Sequence, residues 1–155
     1  MIRDAIADDV PAMVALIEKE RLRLETWQPQ FWRKADDSAE KSSGWFSYLA
    51  SNADIITLVS EDGGAVNGFL IAMLQDAPPV YNPGGKTCLI DDFVVSDDGL
   101  WETSGLALFE TARATAKTKG ATQYVVVCPN ELAAKKNMLS KAGATIASTW
   151  WTNAL

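Results

Sequence analysis

Histidine is missing from this chain of 155 residues. With it go the commonest general base near neutral pH and the commonest metal ligand. A Ser-His-Asp or Cys-His hydrolase of the usual kind is excluded, and no metal site is expected. Cysteine is scarce: Cys88 and Cys128 both sit in apolar, strand-like surroundings. They read as buried free thiols of an intracellular protein rather than as a disulfide. The longest apolar run, Phe69 to Leu74, is far too short to cross a bilayer. The opening Met1-Ile2-Arg3-Asp4 lacks the charged-then-apolar pattern of a signal peptide. The cytoplasm is therefore the expected location, with no membrane partner. Basic charge is also short, 14 Lys and Arg against 20 Asp and Glu for a net charge of −6. No basic face is visible to release counterions from a phosphate backbone, so no nucleic-acid partner is expected. The acidity suits a cationic amine substrate, and equally a surface charged for solubility alone.

What is present is an ordinary globular mixture, 48% hydrophobic and 22% charged. The length suits one domain, residues 1–155, and at that size roughly two thirds of the unfolded surface can be buried without staples. Residues 1–6 read as a short strand. Asp8 and Asp9 offer an N-cap ahead of Pro11, and Val10, Met13, Val14, Ile17 and Leu24 recur at helical spacing, giving a helix over about 9–26. Trp27-Gln28-Pro29 ends it. Ser38 is expected to cap a second helix that carries Trp45, Phe46 and Leu49 on one face. Strands follow at 54–60 and 65–74 around a turn at 61–64, then a Pro- and Gly-rich loop over 76–86 and a central strand from Thr87 to Val95. A helix runs on to Lys119 with Gly120 as its C-cap, then a strand over 123–128, a helix from Asn130 to Ala142 and a last strand over 145–152. The order is β α α β β β α β α β. The strand at 87–95, the long helix and the strand at 123–128 form one crossover, so those two strands are parallel. The remaining pairs are antiparallel and the sheet is mixed.

This order resembles the GNAT superfamily of N-acetyltransferases, as a divergent member. The resemblance implies an α/β (α+β) fold: a mixed, mostly antiparallel sheet with one parallel β-α-β crossover, flanked by helices. In motif it is carried by residues 89–143. The family often shows an acidic strand, then L-x-V-x-P-x-x-R/Q-x-x-G-x-G/A, then a long helix ending in Gly. Here Leu89-Ile90-Asp91-Asp92-Phe93-Val94-Val95 is similar to the strand, and Phe93 and Val95 align with L-x-V. Leu100 then stands at the Arg/Gln position, Thr103 and Gly105 at the two glycine positions, and Asp97 at the proline. Gly120 at the helix end gives the same register. Only Gly105 keeps the pattern. The resemblance implies acetyl-CoA as cosubstrate, with its pyrophosphate at the 100–105 turn, where backbone N–H groups and the helix dipole replace the missing arginine. Thr103 and Ser104 add hydroxyls, and Glu102 is an adverse charge. Trp101 has two open roles, packing over the cofactor or pinning the turn into the core. Lys135 and Lys136 either compensate the lost charge or are solvated surface lysines. The pantetheine arm is implied to pair with backbone around Phe93, Val94 and Val95. Asn130 is similar to the family's N-x-x-A asparagine, near the thioester, and equally reads as a helix N-cap.

The chemistry the resemblance implies is transfer of an acetyl group to the amine of a small molecule or peptide. It needs a base for the ammonium, an oxyanion donor and an acid for the thiolate. Asp91 and Asp92 are the base candidates. Strand alternation sets them on opposite faces, so one at most lines a cleft, and Asp92 is favoured because Asp91 shares its face with Leu89, Phe93 and Val95. The N–H of Val94 or Val95 is the oxyanion donor. Leu139 stands where the family's acidic Tyr is expected. Trp27, Phe31, Trp32 and Tyr81 are assigned to the substrate side, where aromatic rings suit an ammonium, against the alternative that they are core or dimer-seam residues. The family commonly ends in a hairpin where this chain has one strand, so an open edge is expected to be covered in a homodimer near Trp150 or Trp151. The alternative to catalysis is a GNAT-like ligand- or partner-binding module with a degenerate cofactor loop.

Overall fold

The computed structural model describes residues 1–155. Nine regular elements follow in order: β1 (Ile2–Asp4), α1 (Val10–Trp27), α2 (Ser38–Ser51), β2 (Ile56–Asp62), β3 (Ala65–Gln75), β4 (Lys86–Val95), α3 (Leu106–Thr118), β5 (Ala121–Val126) and α4 (Ala133–Lys141). The five strands form one sheet in the order β1-β2-β3-β4-β5. Pairings are antiparallel up to β4, and β4 with β5 is parallel. The expected mixed sheet with one crossover is what the chain builds.

Alternation along the strands divides the core into two layers. Leu58, Leu70, Ile90 and Phe93 face α3 and α4, where they meet Leu108, Phe109 and Met138. Val59, Phe69, Ile71 and Val94 face α1 and α2, where they meet Met13, Ile17 and Phe46. The β2–β3 turn is two glycines, Gly63 (φ 58°) and Gly64 (φ 81°), whose positive φ values fit the tight hairpin twist.

Several local expectations change in the folded chain. Asp9 does not cap α1. Its carboxylate accepts from Arg3 Nη1 and Nη2 (2.6 and 2.8 Å) and from the Ile6 N–H (2.8 Å), tying β1 to the start of α1. Ser38 opens α2, but its hydroxyl donates to Glu18 Oε1 at 2.6 Å instead of capping the helix. Asn130 is not an N-cap either, since α4 starts at Ala133 and Asn130 is exposed. The expected strand over 145–152 does not form: β5 is the last strand, and residues 145–155 lie exposed off the sheet. β propensity depends on packing against strand neighbours, and this segment does not pair with the outer edge of β5, which stays open. Its one aromatic contact within the fold sets Trp150 6.1 Å from the Phe31 ring. Cys88 is buried and Cys128 half-buried, and both are free. No helix is long and apolar enough to cross a membrane.

Candidate active site

The site begins with a fault in β4. Leu70 pairs with Phe93 while Ala72 pairs with Ile90, so three steps on β4 match two on β3. The extra residue lies in Asp91-Asp92, the acidic pair. Such a bulge bends the strand and shifts the phase of its side chains. Before it, Cys88 and Ile90 face the α3–α4 core; after it, Phe93 and Val95 do. Asp91 therefore does not share a continuous face with Leu89, Phe93 and Val95. Both aspartates line the same cavity, contrary to the expectation that one at most would.

The bulge also separates β4 from β5. Parallel pairing ends at Ile90 with Val126, and the last ladder bond runs from the Val127 N–H to the Ile90 carbonyl at 2.9 Å. Beyond it the strands diverge, leaving the β5-facing backbone of the 91–95 segment without a strand partner. The cavity, about 320 Å³, opens against this splay. Its other walls are α1 (Ile17, Glu20, Arg21, Leu24), the 31–35 loop and the turn after β5.

Among the ionisable groups that line the cavity, Lys135 is buried and Asp92 and Glu20 are half-buried. Burial raises the pKa of Asp92, and the neighbouring Asp91 charge raises it further; Arg21 and Lys135 act the other way. Glu20 reaches in from α1. Burial raises its pKa too; Oε2 lies 3.2 Å from Arg23 Nε, while Oε1 is buried without a hydrogen-bond partner. Lys135 comes from α4 and is 2% exposed. Its Nζ donates to the Phe93 carbonyl (3.1 Å) and the Val127 carbonyl (2.9 Å), across the splay. It also sits 4.9 Å from the Phe93 ring and 5.4 Å from the Trp101 ring. Desolvation brings its pKa down to about 8, partly opposed by Cys128, Glu20, Asp91 and Asp92. The solvated surface lysine of the sequence reading is overturned for Lys135.

Of the aromatic residues expected on the substrate side, Phe31 and Trp32 line the cavity, packed edge to face at 4.6 Å. Trp27 packs against the core under Arg23 (4.8 Å), and Tyr81 stands 72% exposed on the 76–86 loop; neither lines the cavity. Val94 lines it, and Val95 lines a neighbouring hollow of about 230 Å³ between α1 and residues 96–98. Lys19 Nζ to the Ser96 carbonyl and Arg23 to Asp98, both 2.9 Å, hold that hollow's walls together.

The expected pyrophosphate turn is a short 3-10 turn at Asp98–Leu100 leading into one wide turn, Trp101–Gly105, at the start of α3. Trp101 is 2% exposed and packs on Phe93 at 4.9 Å, so of its two open roles it fills the core one. Gly105 is there because of Trp101: a Cβ at 105 would lie 2.8 Å from Trp101 Cε3. Glu102 turns away to Lys141 Nζ at 2.7 Å, which offsets its adverse charge. Leu100 is half-buried, Thr103 exposed with its hydroxyl 3.4 Å from the Leu100 carbonyl, and Ser104 half-buried. Leu139 is buried, and neither Tyr81 nor Tyr124 lines the cavity, so no phenol stands in the place of an acid.

Glu20 and Lys135 are the groups the sequence reading missed or misplaced. A signal for both existed. Glu20 falls in the stripe Met13, Ile17, Leu24, and Lys135 in the stripe Leu132, Met138, Leu139. A charged residue at a buried position of a helical stripe is rare unless it has a partner.

No protein-family model matches the chain, and no curated protein matches it by sequence. Solved structures do. A mutant protein from Bacillus halodurans superposes with a TM-score of 0.84 at 16% identity, over 100% of this chain and 99% of its own. A predicted acetyltransferase from Clostridium acetobutylicum, solved with acetyl-CoA, gives 0.74 at 17% identity, over 99% and 95%. A glucosamine-6-phosphate N-acetyltransferase from Arabidopsis thaliana gives 0.69 at 19%, over 99% and 97%. The chain has the GNAT fold.

Proposed function

We propose that the protein is an N-acetyltransferase that moves an acetyl group from acetyl-CoA to the amine of a small molecule or peptide. One observation carries the reading: the splay of β4 from β5 opens on a cavity lined by a half-buried carboxylate with a raised pKa, Asp92. A base placed in such surroundings is suited to take a proton from an ammonium. In the transfer, the amine nitrogen bonds to the acetyl carbon and the carbon–sulfur bond breaks. Asp92 takes the amine proton, and water returns one to the leaving thiolate, since Leu139 leaves no phenol there. Phe31 and Trp32 at the mouth suit an acceptor with an apolar body and a cationic amine. The 100–105 turn supplies backbone donors for the cosubstrate's phosphates.

Calorimetric titration of acetyl-CoA into the purified chain tests this. Binding at micromolar to near-millimolar concentration, with turnover against an amine panel, is expected. No binding at near-millimolar acetyl-CoA refutes it. A second reading, a module that binds a ligand or partner without turnover, is favoured by one observation: Lys135 Nζ fills the splay. Binding of acetyl-CoA with no acetylation of any amine offered supports that one.

A further inference from the structure

Lys135 occupies a stretch of backbone inside the sheet, between β4 and β5, that strand pairing leaves open. After Ile90 and Val126 the two parallel strands part. The Phe93 carbonyl on β4 and the Val127 carbonyl just past β5 then need donors that no strand supplies. A single ammonium serves both, at 3.1 and 2.9 Å. The side chain has almost no water contact, at 2% exposure, and its head lies against the Phe93 and Trp101 rings. Its hydrogen-bond partners are carbonyls, not a carboxylate. Asp91, Asp92 and Glu20 act on it from a distance.

An extended ligand arm that adds to a strand edge needs those same groups, an acceptor carbonyl for each of its amide N–H groups. The inference rests on the acetyl-CoA reading above. We propose that Lys135 is an internal occupant of the acyl-donor groove: its Nζ holds the Phe93 carbonyl that the donor's amide requires, and the donor enters only when the side chain withdraws. Lys135 thereby sets the affinity for acyl-CoA. The groove is formed by the fold, and the protein supplies its own competitor for it.

The test is acetyl-CoA titrated calorimetrically into the full chain and into Lys135→Ala, Lys135→Met and Lys135→Arg. Each variant is first checked for a cooperative thermal transition. Alanine empties the splay, and at least about tenfold tighter binding is expected, on the scale of two charge-assisted hydrogen bonds no longer broken on entry. Methionine keeps the aliphatic stem on the same buried stripe but has no donor, so it is also expected to bind more tightly than wild type. Arginine keeps a donor in place and is expected to bind no tighter. Folded Ala and Met variants with wild-type affinity overturn the proposal while leaving the acetyl-CoA reading intact. No binding by wild type or any variant overturns both. A crystal structure of the wild-type complex gives a readout independent of variant folding. Nζ displaced from the Phe93 carbonyl is expected; ligand bound with that hydrogen bond intact overturns the proposal.

Discussion

Burying an ammonium without a carboxylate partner should leave a signature in the pH dependence of stability. Lys135 titrates at about 8 in the folded chain against an ordinary 10.5. Between those values the unfolded chain holds more of this proton than the native one, so stability rises with pH. The cost of Lys135 to stability is roughly 3 kcal/mol at pH 7, where both states are protonated and the charge is buried, and about 1 kcal/mol at pH 9.5, where the native side chain is neutral and the cost is that of giving up the proton. Lys135→Met removes this titration. The variant also leaves the Phe93 and Val127 carbonyls without their donor, so the sign of the gap at one pH is not the test. The change in the gap is. Wild type should gain about 2 kcal/mol relative to Lys135→Met between pH 7 and 9.5. Burial raises the thiol of Cys88, an effect common to both proteins that cancels in the difference. Cys128 interacts with Lys135 directly, so both proteins are best compared in a Cys128→Ala background. Urea unfolding followed by tryptophan fluorescence supplies the values. A gap that moves by less than about 0.5 kcal/mol over the window, near the extrapolation error, refutes the assignment of a buried, charged lysine.

Further predictions concern other parts of the molecule. Asp92→Asn should lower turnover by about 10²- to 10⁴-fold with acetyl-CoA affinity unchanged, the mark of a lost base; a fall in affinity alone contradicts that role. Gly105→Ala forces a methyl to within 2.8 Å of the Trp101 ring and should cost about 1 to 3 kcal/mol in urea unfolding; an unperturbed midpoint means the ring has room to move. Asp9 is held below the usual carboxylate range chiefly by its hydrogen bonds from Arg3. Its stabilising contribution is full above about pH 4 and lost as the pH falls through its folded value, so Asp9→Asn should flatten the acid limb of the stability curve; an identical acid limb rules this out. The expected homodimer at Trp150 or Trp151 predicts twice the chain mass by light scattering at high concentration, and a clean monomer removes it.

The order of elements was legible because each carries a local signal. The stripe Val10, Met13, Ile17, Leu24 has one reading as a helix, and Gly63-Gly64 between β-branched runs has one reading as a hairpin. The acidic pair was legible as a base candidate by residue type. Its geometry was not. Alternation predicts opposite faces for Asp91 and Asp92, and only the bulge, which depends on the register of β4 against β3, brings both to one cavity. The strand over 145–152 failed for a similar reason. Thr and Trp favour strands where a sheet edge receives them, and that is a property of the whole fold.

By itself, then, the sequence determined a mixed sheet with one parallel crossover, flanking helices and an acidic central strand, because hydrophobic period and turn residues act over a few neighbours. The tertiary structure alone decided how the site is charged and filled. Lys135 is 42 residues from Phe93 along the chain, and Glu20 comes from the first helix. Burial, the diverging strands and the competition for unpaired carbonyls depend on which segments meet. No local pattern encodes the solvent that each charge loses when they do.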